Sequence, residues 1–172
     1  MLLPVLRHRG WTCRQTAMLT FQDGSRRAIN RDVQIKTVSL DKGGDRQIVE
    51  LECGSSSEGF AYHLAQGPRL GGEAIVGYLD GEPAGCTGWF IIDGIARYRH
   101  IATRPAFRGR GVATTLIRHV QQHPAVRAAH ALCIHVAEGG PQQLYEACGF
   151  VPHSVAWDCL LETIVPDVRR TP

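Results

Sequence analysis

The chain has 172 residues, of which 44% are hydrophobic and 20% are charged, as is typical of a soluble globular domain. A chain of this length buries about two-thirds of its unfolded surface, enough for one domain with its own core. No apolar run approaches the ~20 residues that a membrane helix needs. The apolar run at residues 2–6 is too short for a signal peptide, and the basic residues follow it instead of preceding it. We therefore expect a cytoplasmic protein without membrane association.

The net charge of +3 is unevenly distributed along the chain. Residues 1–32 contain six Arg and two acidic residues, whereas residues 33–172 contain thirteen Lys or Arg and fourteen acidic residues. The near-neutral second part argues against a nucleic-acid-binding surface. This change in composition predicts a basic N-terminal extension over 1–32 and a folded domain over 33–172.

The extension has two interpretations. Met18–Phe21 followed by Asp23 and Gly24 is typical of one half of a hairpin, but the segment is equally compatible with a loosely ordered arm. Met18 is also an alternative start of the natural chain.

Six cysteines are present without a C-x-x-C pair or a zinc-like spacing, which indicates neither a metal site nor a disulfide framework. Several lie in apolar stretches, so we expect buried free thiols. They are Cys13, Cys53, Cys86, Cys133, Cys148 and Cys159.

From residue 33 onward, apolar periodicity and turn residues predict a regular series of elements. Residues 33–40 predict a strand, 41–53 a helix, and Phe60, Tyr62 and Leu64 a second short helix. Asp80-Gly81 and Asp93-Gly94 are strong hairpin signals, so three strands should form an antiparallel meander. These strands are predicted over 74–79, 83–92 and 95–103.

The second half of the domain alternates helices and strands. A helix over 111–122 has one apolar face, residues 131–136 form an apolar strand, a short helix covers 141–148, and the last strand covers 155–161. The order is therefore β-α-α-β-β-β-α-β-α-β. It predicts an α+β fold with a mixed, mostly antiparallel central sheet flanked by helices.

The turn between the strand 95–103 and the helix 111–122 has the composition of an anion site. The first amides of a helix lack internal partners, and the helix dipole favours negative charge there. Gly109 and Gly111 allow phosphate oxygens to approach the backbone, and Arg108 and Arg110 attract them. The turn matches neither the P-loop nor the dinucleotide-binding pattern.

The stretch 101–116 around this turn resembles the cofactor motif of the GNAT N-acetyltransferase family, [RQ]-x-x-G-x-[GA]. Arg108, Gly111 and Ala113 occupy the defining positions. The resemblance implies a GNAT fold, acetyl-CoA as cosubstrate, and direct transfer of its acetyl group to a primary amine in a ternary complex. The implied cofactor-binding residues are Ile101, Ala102 and Thr103 for the pantetheine arm, and Arg108, Gly109, Arg110, Gly111, Val112, Ala113 and Thr114 for the pyrophosphate.

A second segment, Gln143–Phe150, resembles the late L-Y-E-x-x-G-F segment of the same family. The resemblance implies that Tyr145 protonates the departing thiolate. A phenol with a pKa of ~10 stays protonated at neutral pH and is suited to this role. Alternatively, Tyr145 is a core aromatic residue. Where many relatives carry Asn and Ala shortly before this Tyr, the chain has Glu138 and Pro141.

The base that would deprotonate the amine is not specified by the sequence. Arg97 and Arg99 cannot act as bases, although they could attract an anionic acceptor if they face its pocket. His100 should point to the opposite face of a regular strand, unless a bulge reorients it. Glu138 and a water molecule are the other candidates.

The acceptor is a small molecule or a peptide that the sequence does not identify. Dimers are common in the family, which leaves a homodimer as an option. The intact phosphate turn beside the altered segment 138–141 also suits a second function, a non-catalytic acyl-CoA sensor or interaction module. An unrelated nucleotide-binding enzyme is a third, weaker interpretation.

Overall fold

The computed structural model describes residues 2–39, 43–55, 61, 65, 72–136 and 139–161. The strands are β1 (Trp11–Phe21), β2 (Gln34–Val38), β3 (Glu73–Leu79), β4 (Glu82–Ile92), β5 (Ile95–Thr103), β6 (Ala131–Val136) and β7 (Phe150–Leu161). The helices are α1 (Leu3–His8), α2 (Gly44–Glu52), α3 (Val112–Gln122), α4 (Pro124–Arg127) and α5 (Gln142–Ala147), with a 3₁₀ turn at Pro105–Phe107. Within the described part of the chain, no helix is long and apolar enough to cross a membrane.

The seven strands form one sheet in the order β2-β3-β4-β5-β6-β1-β7. Among the described residues only β5 and β6 pair in parallel, as expected for two strands joined through a helix; the other neighbours are antiparallel. The predicted mixed, mostly antiparallel sheet is therefore confirmed. The two Asp-Gly turns of the meander are also present, because Asp80, Gly81, Asp93 and Gly94 all have positive φ, as this class of hairpin requires.

The sheet has one helix layer on each face. On one face Leu116, Ile117 and Val120 of α3 are fully buried, as the apolar periodicity of the predicted helix requires. On the other face Val49 of α2 packs with Val76 of β3 in a second, smaller cluster. Because successive strand residues point to opposite faces, β3 contributes to both layers.

The N-terminal region is the main correction to the sequence analysis. Trp11–Phe21 is neither half of a local hairpin nor a loose arm, because β1 lies inside the sheet between β6 and β7. Only Thr16 and Leu19 of this strand are buried, so its sequence shows little apolar alternation. Its partner strands come from the far end of the chain, and a local pattern does not reveal such pairing.

Three smaller differences concern element boundaries. β7 begins at Phe150, although Pro152 interrupts the strand pattern; Pro is tolerated because β7 is an edge strand and Pro152 lies at a register shift opposite Leu19. Helices α1 and α4 were not predicted. The short helix predicted through Phe60, Tyr62 and Leu64 lies outside the described residues.

The burial of β1 can be tested by a pair of substitutions. Leu19 is 0% exposed and packs in the main core, whereas Leu2 is 68% exposed. Leu19→Ala should lower the free energy of unfolding by about 2–5 kcal/mol. Leu2→Ala should change it by less than about 0.5 kcal/mol. Urea unfolding of both variants measures the difference, and similar small effects would contradict the interior position of β1.

Candidate active site

The site begins where β5 and β6 separate. Ile95–Arg97 pair with Ala131–Cys133, and no further β5–β6 pair occurs among the residues that the structure describes. β5 nevertheless continues to Thr103 and β6 to Val136. The sheet therefore opens towards the carboxyl ends of these two strands.

A cavity of about 840 Å³ lies beside the free part of β5. It brings together the end of β5, the start of α3, helix α5 and the turn 108–113, which we name the phosphate turn after its predicted ligand. The described lining residues are Arg27, Ala28, Cys53, His100, Ile101, Ala102, Thr103, Phe107, Arg108, Gly109, Gly111, Val112, Ala113, Thr114, Gly139, Pro141, Leu144 and Tyr145.

Nine of the ten predicted cofactor-binding residues line this cavity, and Arg110 does not. The Arg110 guanidinium instead forms an ion pair with Asp80, with 2.8 Å between Nη2 and Oδ2, and lies 5.6 Å from the centre of the Phe107 ring. The prediction that the Arg110 side chain attracts phosphate is therefore not supported by its position.

The start of α3 has the free donors that an anion site needs. Gly109 and Gly111 have φ values of +76° and +79°, in the left-handed region that favours glycine. Gly111 precedes the helix, and no side chain caps the first turn. A Cβ at Gly109 would meet no atom within 4 Å, so open space lies beside the turn. The first amides of α3 are therefore available to an anion.

The turn is attached to the sheet by Arg104. Its guanidinium forms two hydrogen bonds to the carboxylate of Glu52, at 2.7 and 2.9 Å, and one to Glu82 at 3.2 Å. The hydrogen bond from Arg104 lowers the pKa of Glu52 below its ordinary value. The Arg104 amide also donates to the Ala84 carbonyl at 3.0 Å. These contacts join the end of β5 to α2 and β4.

A β-bulge in β5 directs His100 into the cavity. Cys86 faces Ala102 and Gly88 faces Arg99, so the single residue Thr87 opposes two residues of β5. His100 has a φ of +45°, which is uncommon for a residue with a side chain. The bulge considered in the sequence analysis is therefore present. The Ser55 hydroxyl lies 3.4 Å from Nε2 of His100.

Tyr145 closes the cavity at the α5 side. Its side chain is only 6% exposed, yet it lines the cavity. Burial, followed by the neighbouring Cys148, raises the pKa of Tyr145 above its ordinary value. Its hydroxyl has no hydrogen-bond partner among the described residues, so it is a protonated donor available to a ligand. Tyr145 thus belongs both to the core and to the cavity.

The two arginines considered for attracting an anionic acceptor do not line the cavity. Arg99 lies, with one side of His100, near the buried ion pair between Arg46 and Glu50, whose Nε and Oε1 atoms are 3.1 Å apart. Arg97 is not among the described lining residues either. Glu138 lies outside the described residues.

Residues 71–152 match the family model of the acetyltransferase (GNAT) domain, a segment that covers slightly less than half of the chain and contains both the phosphate turn and Tyr145. This match supports the GNAT acetyltransferase family for the segment that forms most of the site. Domains of this family generally bind acyl-CoA, and the family match supports acyl transfer as the general activity.

Solved structures show the same fold at low sequence identity. A conserved protein of unknown function from Staphylococcus epidermidis is 17% identical, with a TM-score of 0.70 over 95% of this chain. A putative GNAT acetyltransferase from Novosphingobium aromaticivorans is 22% identical (TM-score 0.61, 86% of this chain), and a GCN5-related N-acetyltransferase from Kribbella flavida is 20% identical (0.64, 91%). The matches span 67%, 65% and 62% of those chains, respectively. No curated protein sequence matches the chain.

Part of the cavity wall comes from outside the matched GNAT segment. After β1 the chain passes over the phosphate turn, where the Asn30 side-chain amide donates to the Arg110 carbonyl and the Asn30 backbone amide donates to the Thr115 hydroxyl, both at 2.9 Å. This crossing brings Arg27 and Ala28 to the cavity.

Sequence reasoning missed Arg27, because it lies in a polar stretch without a motif and about 80 residues before the turn. Together with Arg108 it makes the cavity electropositive, since no carboxylate occurs among its described lining residues.

Proposed function

We propose that this GNAT protein transfers the acetyl group of acetyl-CoA to a primary amine on a small molecule or peptide. One observation carries the proposal: a single cavity extends from the uncapped start of α3 to the Tyr145 side chain. A phosphate-binding end and a proton donor thus border the same space, which is large enough for a cofactor.

The phosphate turn would bind the pyrophosphate of the cofactor. The amides of residues 109–114 supply directional hydrogen bonds, and Arg108 and Arg27 supply positive charge. Ile101–Thr103 lie where β5 has lost its β6 partner, so the backbone groups that face away from β4 are directed to the amides of the pantetheine arm. The Thr103 carbonyl also accepts a hydrogen bond from Nε of Arg108 at 3.3 Å. An extended ligand would pair with β5 much as an added strand does.

The reaction is direct attack within a ternary complex. The amine nitrogen attacks the thioester carbonyl carbon, and the tetrahedral intermediate then expels the CoA sulfur. Tyr145 donates its phenolic proton as the C–S bond breaks, and His100 accepts a proton from the attacking nitrogen. A backbone amide of β5 at the bulge stabilises the negative charge on the carbonyl oxygen. The products are free CoA and an N-acetyl amide.

Substitution of Tyr145 tests the assignment of the acid. Tyr145→Phe should lower kcat about 100-fold, because the thiolate must then leave unprotonated. The Kd for acetyl-CoA should change by less than about twofold, since the ring remains in place. Steady-state kinetics and calorimetry measure the two quantities. Tyr78→Phe is the control, because Tyr78 lies outside the cavity and donates its hydrogen bond to Asp45.

The wild-type protein provides the test of the function itself. Consumption of acetyl-CoA across a library of primary amines should identify at least one acceptor. Binding of acetyl-CoA without turnover of any amine would support the non-catalytic sensor instead. Thermal stabilisation by ATP or NAD but not by CoA would contradict the proposed cofactor.

A second prediction concerns the base. In His100→Gln only the neutral fraction of the amine can react, so activity should rise about tenfold per pH unit below the pKa of an alkylamine, ~10.4. The wild-type enzyme should show a flatter profile between pH 7 and 9. His153→Gln, which changes an exposed histidine on β7, should keep the wild-type profile. Parallel profiles of wild type and His100→Gln would exclude His100 as the base.

A third prediction concerns Arg27. Arg27→Gln should weaken CoA binding about three- to tenfold, because a hydrogen bond to a charged group contributes about 1.5–3 kcal/mol and solvent reduces this contribution at an exposed side chain. Arg26→Gln removes the same charge at a neighbouring position that does not line the cavity, and should have little effect. Calorimetry with CoA, and with pantetheine as a phosphate-free ligand, measures the difference. Equal losses in both variants would show that only net charge matters.

A further inference from the structure

Two cysteines face each other across the β1–β7 pair. Cys13 and Cys159 are directly opposite in the register of these antiparallel strands. Opposite residues share a face of the sheet, and their Cα atoms lie about 4.5–5.5 Å apart. This distance falls within the 4.4–6.8 Å that disulfides span, so the strands need not separate for the two sulfur atoms to bond.

The two thiols are close enough to influence each other. A hydrogen bond to Cys13 is the largest influence on Cys159 and, with burial next, raises the pKa of Cys159. Arg7 of α1 lies beside the pair, because its Nη2 donates to the Cys13 carbonyl at 3.5 Å and its charge opposes the rise in the Cys159 pKa. Arg7 therefore places a positive charge beside the pair, which favours formation of a thiolate there.

The other four cysteines, all within the described part of the chain, have different surroundings. Cys86, Cys133 and Cys148 are buried, and burial is the largest influence raising the pKa of each thiol. Cys53 is partly exposed but lines the cofactor cavity. Cys13 and Cys159 combine partial exposure with a facing partner that is itself partly exposed.

We propose that Cys13 and Cys159 form a reversible disulfide that links the N-terminal strand β1 to the C-terminal strand β7. The oxidant is a low-molecular-weight disulfide such as oxidised glutathione. The thiolate of one of the two cysteines attacks one of its sulfur atoms, forms a mixed disulfide and releases one glutathione thiolate. The other cysteine then loses its proton to solvent and attacks the protein sulfur of the mixed disulfide, which releases the second glutathione. Two protein thiols are oxidised, and one glutathione disulfide is reduced to two thiols.

The cross-link has a structural consequence away from the cofactor cavity. Within the part of the chain that the structure describes, β7 is an edge strand that pairs with β1 alone. A bond between these strands closes a loop of about 145 residues, and closure of long loops restricts the unfolded chain most strongly. Neither cysteine lines the cavity, so the bond stabilises the fold without blocking the cofactor.

Oxidation of the intact wild-type protein tests the proposal. After equilibration with oxidised glutathione, peptide mapping without reductant should recover the Cys13 and Cys159 peptides joined to each other. The melting temperature should rise by about 5–10 °C and return to its original value after reduction with dithiothreitol. Cys13→Ser and Cys159→Ser should each abolish both changes, whereas Cys53→Ser should retain them.

Three outcomes would overturn the proposal. The first is stable glutathione adducts on Cys13 or Cys159 without a bond between them. The second is a cross-link from either residue to another cysteine. The third is a Cys13–Cys159 bond that leaves the melting temperature unchanged. Because the mapping uses wild-type protein, the test does not depend on whether a serine variant folds, nor on whether the protein has acetyltransferase activity.

Discussion

In the described residues β5 and β6 pair at three positions and then separate, and the organisation of the site follows from this separation. Backbone N–H and C=O groups need hydrogen-bond partners, and the outer half of β5 lacks those that β6 would otherwise supply. The backbone groups of residues 101–103 that face the gap must therefore bond to water or to an extended polar ligand. The amides of the proposed pantetheine arm can supply these hydrogen bonds, so the interrupted β5–β6 pairing is consistent with the proposed cofactor.

The gap between β5 and β6 forms a site only together with the structural features on either side of it. Arg104 connects the end of β5 to α2 and β4, and thereby positions the glycine-containing turn and the uncapped start of α3. The bulge opposite Thr87 rotates His100 out of the regular alternation and into the cavity. A backbone irregularity in the sheet thus brings an imidazole into the space where the acyl group would react.

The N-terminal segment contributes to both the fold and the site. As β1 it fills the interior of the sheet between β6 and β7, and its Leu19 is part of the main core. Immediately afterwards the chain crosses the phosphate turn, where Asn30 binds the Arg110 carbonyl and Arg27 reaches the cavity. The residues with the least recognisable sequence pattern therefore join the two ends of the chain and complete one wall of the proposed cofactor site.

The sequence by itself determined the elements whose signals are local. The Asp-Gly turns defined the meander, the fourfold apolar spacing defined α3, and the glycines before it defined the phosphate turn, because each depends on neighbouring residues alone. The contiguous segment Gln143–Phe150 singled out Tyr145, which lines the same cavity as nine of the ten predicted cofactor-binding residues. The roles of these residues stay predictions.

Only the tertiary structure decided the position of β1 in the sheet and the orientation of His100. It also decided that Arg110 forms an ion pair with Asp80 and that Arg27 lines the cavity. These features depend on pairings between distant residues, on a one-residue change of register, and on competition between partners for one side chain. No local pattern of residues encodes such choices, because their energies come from groups that are brought together only when the chain folds.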